Sequence, residues 1–134
     1  MRIEVSIGEV MDKITILTIK LEKFRSPEKR ANVRRELESL SKTLEEAGLD
    51  TESDDFRELR RINLTLWDVE DALRRKESLK EFDEEFIRLA RRVYFQNDRR
   101  AAVKRRVNLR HGSEIIEEKE YAQYADGTGE IEER

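Results

Sequence analysis

Seven polar residues fall where helical periodicity calls for apolar ones: Asp12, Asn63, Glu70, Asn97, Arg100, Lys104 and Asn108. At about 100° per residue, Asp12 lies beside Ile16 and Ile19, opposite the stripe formed by Ile7, Val10, Ile14, Leu17, Leu21 and Phe24. Asn63 and Glu70 sit inside the apolar arc of Leu59, Ile62, Leu66, Val69 and Leu73. Asn97, Arg100, Lys104 and Asn108 continue the sector opened by Phe86, Leu89, Ala90 and Val93. Burying such groups costs several kcal/mol unless they are paired or hydrogen-bonded, so they must meet one another, water or a ligand. Two arrangements satisfy that demand. In one, Glu70 pairs with Arg100 or Lys104 and the amides fix helix register. In the other, a pocket between the first, third and fourth helices binds an anionic small molecule. Arg100 and Lys104 would then hold its phosphate or carboxylate while the amides orient it.

Other groups offer less. Arg88, Arg92, Arg99, Arg106 and Arg110 share one narrow sector, a basic stripe about 30 Å long at 1.5 Å per residue. It could follow a phosphate backbone or an anionic lipid surface. No Tyr or Phe interleaves with it to stack on bases, and the chain carries a net charge of -3, so nucleic acid is not expected as a partner. A solvated face, or one bridged to acidic helices, is expected instead. Asp68, Glu70 and Asp71 resemble half of a magnesium site of a helical nucleotide hydrolase, and Glu117, Glu118 and Glu120 form a second acidic group, but no facing acidic pair is identifiable. His111 is the only histidine and there is no cysteine, which excludes a His-based zinc site, thiolate sites and disulfides. Beside Gly112, His111 suits a helix C-terminus. Trp67, at helical spacing from Phe56, reads as core. No metal and no cofactor are called for.

The elements that must position these residues are helical. The 134 residues suit one domain with one core. Charged residues make up 44% against 37% hydrophobic, yet the apolar ones recur at helical spacing, which a disordered polyelectrolyte would not show. No apolar run approaches the roughly 20 residues needed to span a bilayer and no signal-peptide core opens the chain, so a cytoplasmic protein without membrane insertion is expected. Between Arg88 and Arg110 nine basic residues face one acid, Asp98; the rest of the chain is acidic.

In chain order, Arg2 to Ile7 alternate polar with apolar, a short extended arm. Ser6 with Glu9 makes a capping box opening the first helix, whose two apolar sides make it the central helix. Ser26-Pro27 opens a second helix, with Val33, Leu37, Leu40, Leu44 and Ala47 as the seam of an antiparallel hairpin on the first; Gly48 ends it. A polar loop over residues 50–55 leads to a third helix from Phe56 to about Lys80. A fourth starts at Phe82-Asp83 and runs to Arg110. Ser113 to Tyr124 offers a short fifth helix, and residues 125–134 a flexible acidic tail. The fold expected is an all-α bundle of four main helices in two antiparallel hairpins, forming a single domain over residues 1–124.

Four segments carry a resemblance: Ser6 to Glu9 with Asp12 to Leu17; Leu66-Trp67-x-x-Glu70-Asp71; Val93-Tyr94-x-x-Asn97-Asp98-x-Arg100-Ala101-x-x-Lys104; and Gly112-Ser113 with Glu117-Glu118-Lys119-x-Tyr121. In these the chain resembles an uncharacterised bacterial family, one of the domains of unknown function, met in surface-polysaccharide contexts. The resemblance implies a phosphorylated sugar or nucleotide-sugar as ligand. The functional expectation is an accessory or small-ligand-binding domain for an anionic metabolite. Its rivals are a helical transferase, mutase or hydrolase using Glu70 or Asp12 as acid or base, and a coiled-coil module that forms a homodimer or docks on a protein partner.

Overall fold

Four helices account for the regular structure: α1 (Ile7–Lys23), α2 (Pro27–Glu46), α3 (Asp54–Leu79) and α4 (Glu84–Arg110). The computed structural model describes residues 1–124, and among them there is no strand. Each helix begins where a short side chain takes up a free backbone donor: Ser6, Ser26, Ser53 and Asp83 accept from the amides of Glu9, Lys29, Phe56 and Phe86. Such a cap is worth about 1 kcal/mol. The box expected at Ser6 is half made, because the Glu9 carboxylate turns to Lys104 instead. Gly48 and Gly112 follow α2 and α4 with φ of +76° and +65°, the left-handed conformation that closes a helix and that glycine adopts without steric cost. His111 is the C-cap of α4.

Two antiparallel hairpins, α1 with α2 and α3 with α4, pack so that α1 touches every other helix while α2 touches α1 alone. Side-chain pairs fix the directions. Asp12 and Thr15 meet Asn63, and Phe24 meets Trp67, so α1 and α3 run the same way. Gly8, Glu9 and Asp12 meet Asn108, Lys104 and Arg100 in turn, so α4 runs opposite to α1. The central position of α1 shows in its burial: Gly8, Val10, Met11, Asp12, Ile14, Thr15, Leu17 and Ile19 are all inside. One core cluster joins Val10, Met11 and Ile14 to Leu44, Phe56, Leu59, Ile62, Leu66, Val103 and Val107, with Ile7, Leu37, Leu40 and Leu49 at its edge. No helix among the described residues is long and apolar enough to cross a membrane.

Several expectations need correction. The short helix expected over Ser113 to Tyr124 does not form; the segment runs back along α4, from Ser113 at Asn108 to Tyr124 against Tyr94 and Phe95. At 1.5 Å per residue that stretch of α4 is about 21 Å long, whereas a helix from 113 to 124 would cover about 16 Å. Ala47 is exposed and leaves the α2 seam because the helix ends at Glu46. Trp67 is half-buried on Phe24, with ring centroids 6.0 Å apart, and not on Phe56. The α4 core side does not turn wholly polar, since Val103 and Val107 fill it beside Lys104 and Asn108. The acidic tail expected over 125–134 lies outside the described residues.

Candidate functional site

The polar residues of α1 are met from both sides. The Asp12 carboxylate, fully buried, accepts from Arg100 Nε at 2.8 Å and Nη2 at 2.5 Å and from Asn63 Nδ2 at 2.8 Å. Asn63 Nδ2 also donates to Thr15 Oγ1 at 2.7 Å, and that hydroxyl donates to the Asp12 carbonyl. A two-pronged guanidinium–carboxylate pair backed by an amide supplies the hydrogen bonds that a buried charge requires. The Asp12 carboxylate holds the Arg100 guanidinium above its ordinary value, outweighing burial.

One turn back on α1, Gly8 allows the closest approach of α1 to α4. Its amide donates to Asn108 Oδ1 at 2.6 Å, and a Cβ there would stand 2.5 Å from the Lys104 carbonyl oxygen. Lys104 Nζ then reaches Glu9 at 2.7 Å and, more loosely, Glu117 at 3.5 Å. Ser113 completes this end, its hydroxyl accepting from the Ile7 amide at 3.1 Å and its own amide donating to the Asn108 carbonyl at 2.9 Å.

Between α4 and the 113–124 segment lies a cavity of about 650 Å³. Its α4 wall is Val93, Tyr94, Asn97, Asp98, Arg100, Ala101 and Lys104; the opposite wall is Lys119, Tyr121, Ala122 and Tyr124. Two kinds of chemistry meet there. The tyrosines and aliphatic groups offer flat apolar surface, and Tyr124 closes on Tyr94 and Phe95 at 5.1 and 5.0 Å between ring centroids. Arg100, Lys104 and Lys119 bring positive charge, Asn97 an amide and Asp98 a carboxylate. Burial pushes the Asp98 carboxyl above its ordinary value, partly opposed by Lys119. Lys119 pairs with Glu117, which is held below the usual carboxylate range chiefly by that bond and further by Lys104, while Lys119 is raised in return.

The residues singled out from the sequence thus divide. Asn97, Arg100 and Lys104 line the cavity; Asp12, Asn63 and Asn108 stand behind them as a buried frame. Glu70 belongs to neither. It faces outward to Arg74 at 3.1 Å, so the pairing expected with Arg100 or Lys104 is replaced by Asp12 and by Glu9 with Glu117. The pocket lies outside the expected space between α1, α3 and α4, because apolar side chains and the Asp12 pair fill that space. Periodicity did not single out Asp98, Tyr94, Lys119, Tyr121 or Tyr124 as site residues. For Lys119 and Tyr121 the signal is their spacing of two, which shares a face in an extended segment and splits in a helix. The basic stripe is partly bridged: Arg106 and Arg110 clamp the buried Asp55 at 2.9 and 2.7 Å, while Arg88 and Arg99 are exposed. Among the described residues no group of three or more His, Cys, Asp or Glu could hold a metal ion.

Residues 1–128 match the profile of a family of unknown function, DUF6165, and the chain belongs to that family. No curated protein and no solved structure matches it.

Proposed function

We propose that this member of the family is an accessory domain that binds a small anionic metabolite, phosphorylated or carboxylated and carrying a ring, in the cavity between α4 and the 113–124 segment. The observation that carries the reading is the pairing, in one cavity of about 650 Å³, of Arg100, Lys104 and Lys119 with Tyr94, Tyr121 and Tyr124. Cavities of this size and mixed lining suit small molecules, the tyrosine faces taking a ring and the cations an anion. The phosphorylated sugars suggested by the family resemblance fit that description. Asp12 and Glu70 do not support the acid or base role of a catalytic reading: the first is enclosed by Arg100 and Asn63, the second points away.

The cations differ in role. Arg100 spends two of its donors on Asp12, leaving Nη1 beside the Asn97 oxygen at 3.4 Å. The partners of Lys119, Glu117 and Tyr121, both lie on its own exposed segment, so it is the cation to remove without disturbing the core. The test is thermal unfolding with sugar phosphates, nucleotide-sugars, nucleotides and polycarboxylates, with Lys119→Ala and Tyr121→Ala in parallel. A ligand at 100 times its Kd should stabilise the wild type by about 2.7 kcal/mol, and both variants should lose most of that gain. A wild type that responds to none of these classes would sink the reading.

A further inference from the structure

The 113–124 segment is pinned at one end and loosely held along the rest. At Ser113 it is tied into the junction of α1 and α4 through Ile7 and Asn108. Beyond that point its attachments to α4 include Glu117 on Lys104, Glu118 on Arg105 at 2.7 Å, the charge of Lys119 near Asp98, and the ring of Tyr124 on Tyr94 and Phe95. Exposed ion pairs such as the Arg105 bridge contribute little net stability. Glu117 is different in what it reaches. Its carboxylate bridges two ammonium groups, Lys119 on its own segment and Lys104 on α4. The Lys104 ammonium sits on a side chain only 11% exposed and keeps a second partner, Glu9, at 2.7 Å, whereas its distance to Glu117 is 3.5 Å. Of the two carboxylates, Glu117 is the longer contact, on the more exposed side chain and in the segment without regular structure. It can leave while Glu9 keeps Lys104 paired.

Its position relative to the cavity adds a second observation. A smaller cavity of about 260 Å³ adjoins the main one; Ala101, Lys104 and Lys119 line both, and Glu117 lines the smaller alone. Glu117 therefore stands at the lysine pair where the two spaces meet. We propose that the Lys104 and Lys119 ammonium groups form an anion subsite that Glu117 fills when no ligand is bound. A ligand's phosphate or carboxylate enters by displacing Glu117 and bridges Lys104 of α4 and Lys119 of the segment in its place, so the segment stays on α4. This rests on the anion-binding reading above and adds to it which cations take the anion and what competes for them. One carboxylate leaves as one anion arrives, so the lysines remain neutralised throughout.

The test titrates inorganic phosphate and pyrophosphate into the full chain by calorimetry, as wild type and as Glu117→Gln. The chain lacks cysteine, so spin labels at Ala102→Cys and Glu120→Cys, both on exposed positions, report the separation of the segment from α4. Removing an internal competitor removes the fraction of time the subsite is occupied; Glu117→Gln should bind pyrophosphate about tenfold more tightly. Glu117→Gln, which lacks the carboxylate bridge, should show a wider label separation than the wild type, and pyrophosphate should bring it back to the wild-type distance. Wild-type binding with unchanged or weaker binding by Glu117→Gln would overturn the competition and leave the anion site standing. Tighter binding by Glu117→Gln with no narrowing of its label distance would overturn the bridging of Lys104 and Lys119 by the anion. If neither protein binds either anion, both the subsite and the anion-binding reading fall.

Discussion

Asp12 shows how one residue carries both stability and site geometry. Its carboxylate is completely enclosed and serves Arg100 and Asn63 together, so removing it leaves a half-buried guanidinium and a buried amide without that partner. Breaking a buried pair by deleting one partner costs about 3–5 kcal/mol, and Asp12→Ala should lose that much in urea unfolding; a loss under about 1 kcal/mol would mean that water replaces the carboxylate. Glu117 makes the opposite kind of prediction, at the surface. Its ordinary carboxyl value of 4.5 is lowered by Lys119 and Lys104. A lowered folded value means that the docked segment gains stability above the unfolded value and loses it as pH falls through the folded one. Titrated by NMR, the Glu117 carboxyl should have its midpoint below 4.5, with the Tyr121 and Tyr124 resonances shifting in the same window. A midpoint at or above 4.5 would contradict the bridge.

At the scale of elements, the α1–α4 crossing depends on a missing side chain. Gly8 lies within a helix, where replacing glycine by alanine ordinarily gains up to about 1 kcal/mol. Here the added Cβ would stand 2.5 Å from the Lys104 carbonyl and 2.9 Å from Asn108 Oδ1, and the nearer of these is backbone that cannot rotate away. Gly8→Ala should therefore destabilise by about 1–3 kcal/mol, the range for overpacking, and a gain in melting temperature would show that the helices can separate freely. The same crossing sets the register that places Lys104 between Glu9 and Glu117 and Arg100 on Asp12. A shift at Gly8 should thus weaken ligand binding as well as stability.

For the whole molecule, burial is unevenly shared. α1 buries eight residues, whereas α2 buries only Val33 and Leu44 and rests on α1 alone. Regions with few buried apolar contacts open at lower free energy than the core. Hydrogen exchange should therefore proceed in order, the 113–124 segment first, then α2, then α3 and α4 around α1; equal protection of α2 and α1 would refute the ranking. The far end of the α3–α4 hairpin extends past α1, whose last residues lie beside Trp67 and Asp68. There Leu79 and Ile87 are 66% and 56% exposed, and Leu79→Gln or Ile87→Gln should change stability by less than about 0.5 kcal/mol.

How much of this was legible beforehand follows from which interactions are local. Helix starts depend on a residue and its neighbour three positions on, so Ser6, Ser26-Pro27 and Asp83 marked them in the chain itself. The two-sided apolar pattern of α1 likewise announced a central helix. Periodicity also identified the residues that had to be neutralised, among them Asp12, Asn63, Arg100, Lys104 and Asn108, since a polar group on an apolar face needs a partner whatever the fold. It did not say which partner. Arg100 could have met Glu70 or Asp12, 30 or 88 positions away in the chain, and only the parallel packing of α1 on α3 with α4 running opposite selects Asp12. The location of the cavity was decided later still. It needed Ser113 to Tyr124 to run back along α4 instead of coiling, an outcome set by tethers at Ile7, Asn108, Lys104 and Arg105 that come together only once the helices have packed.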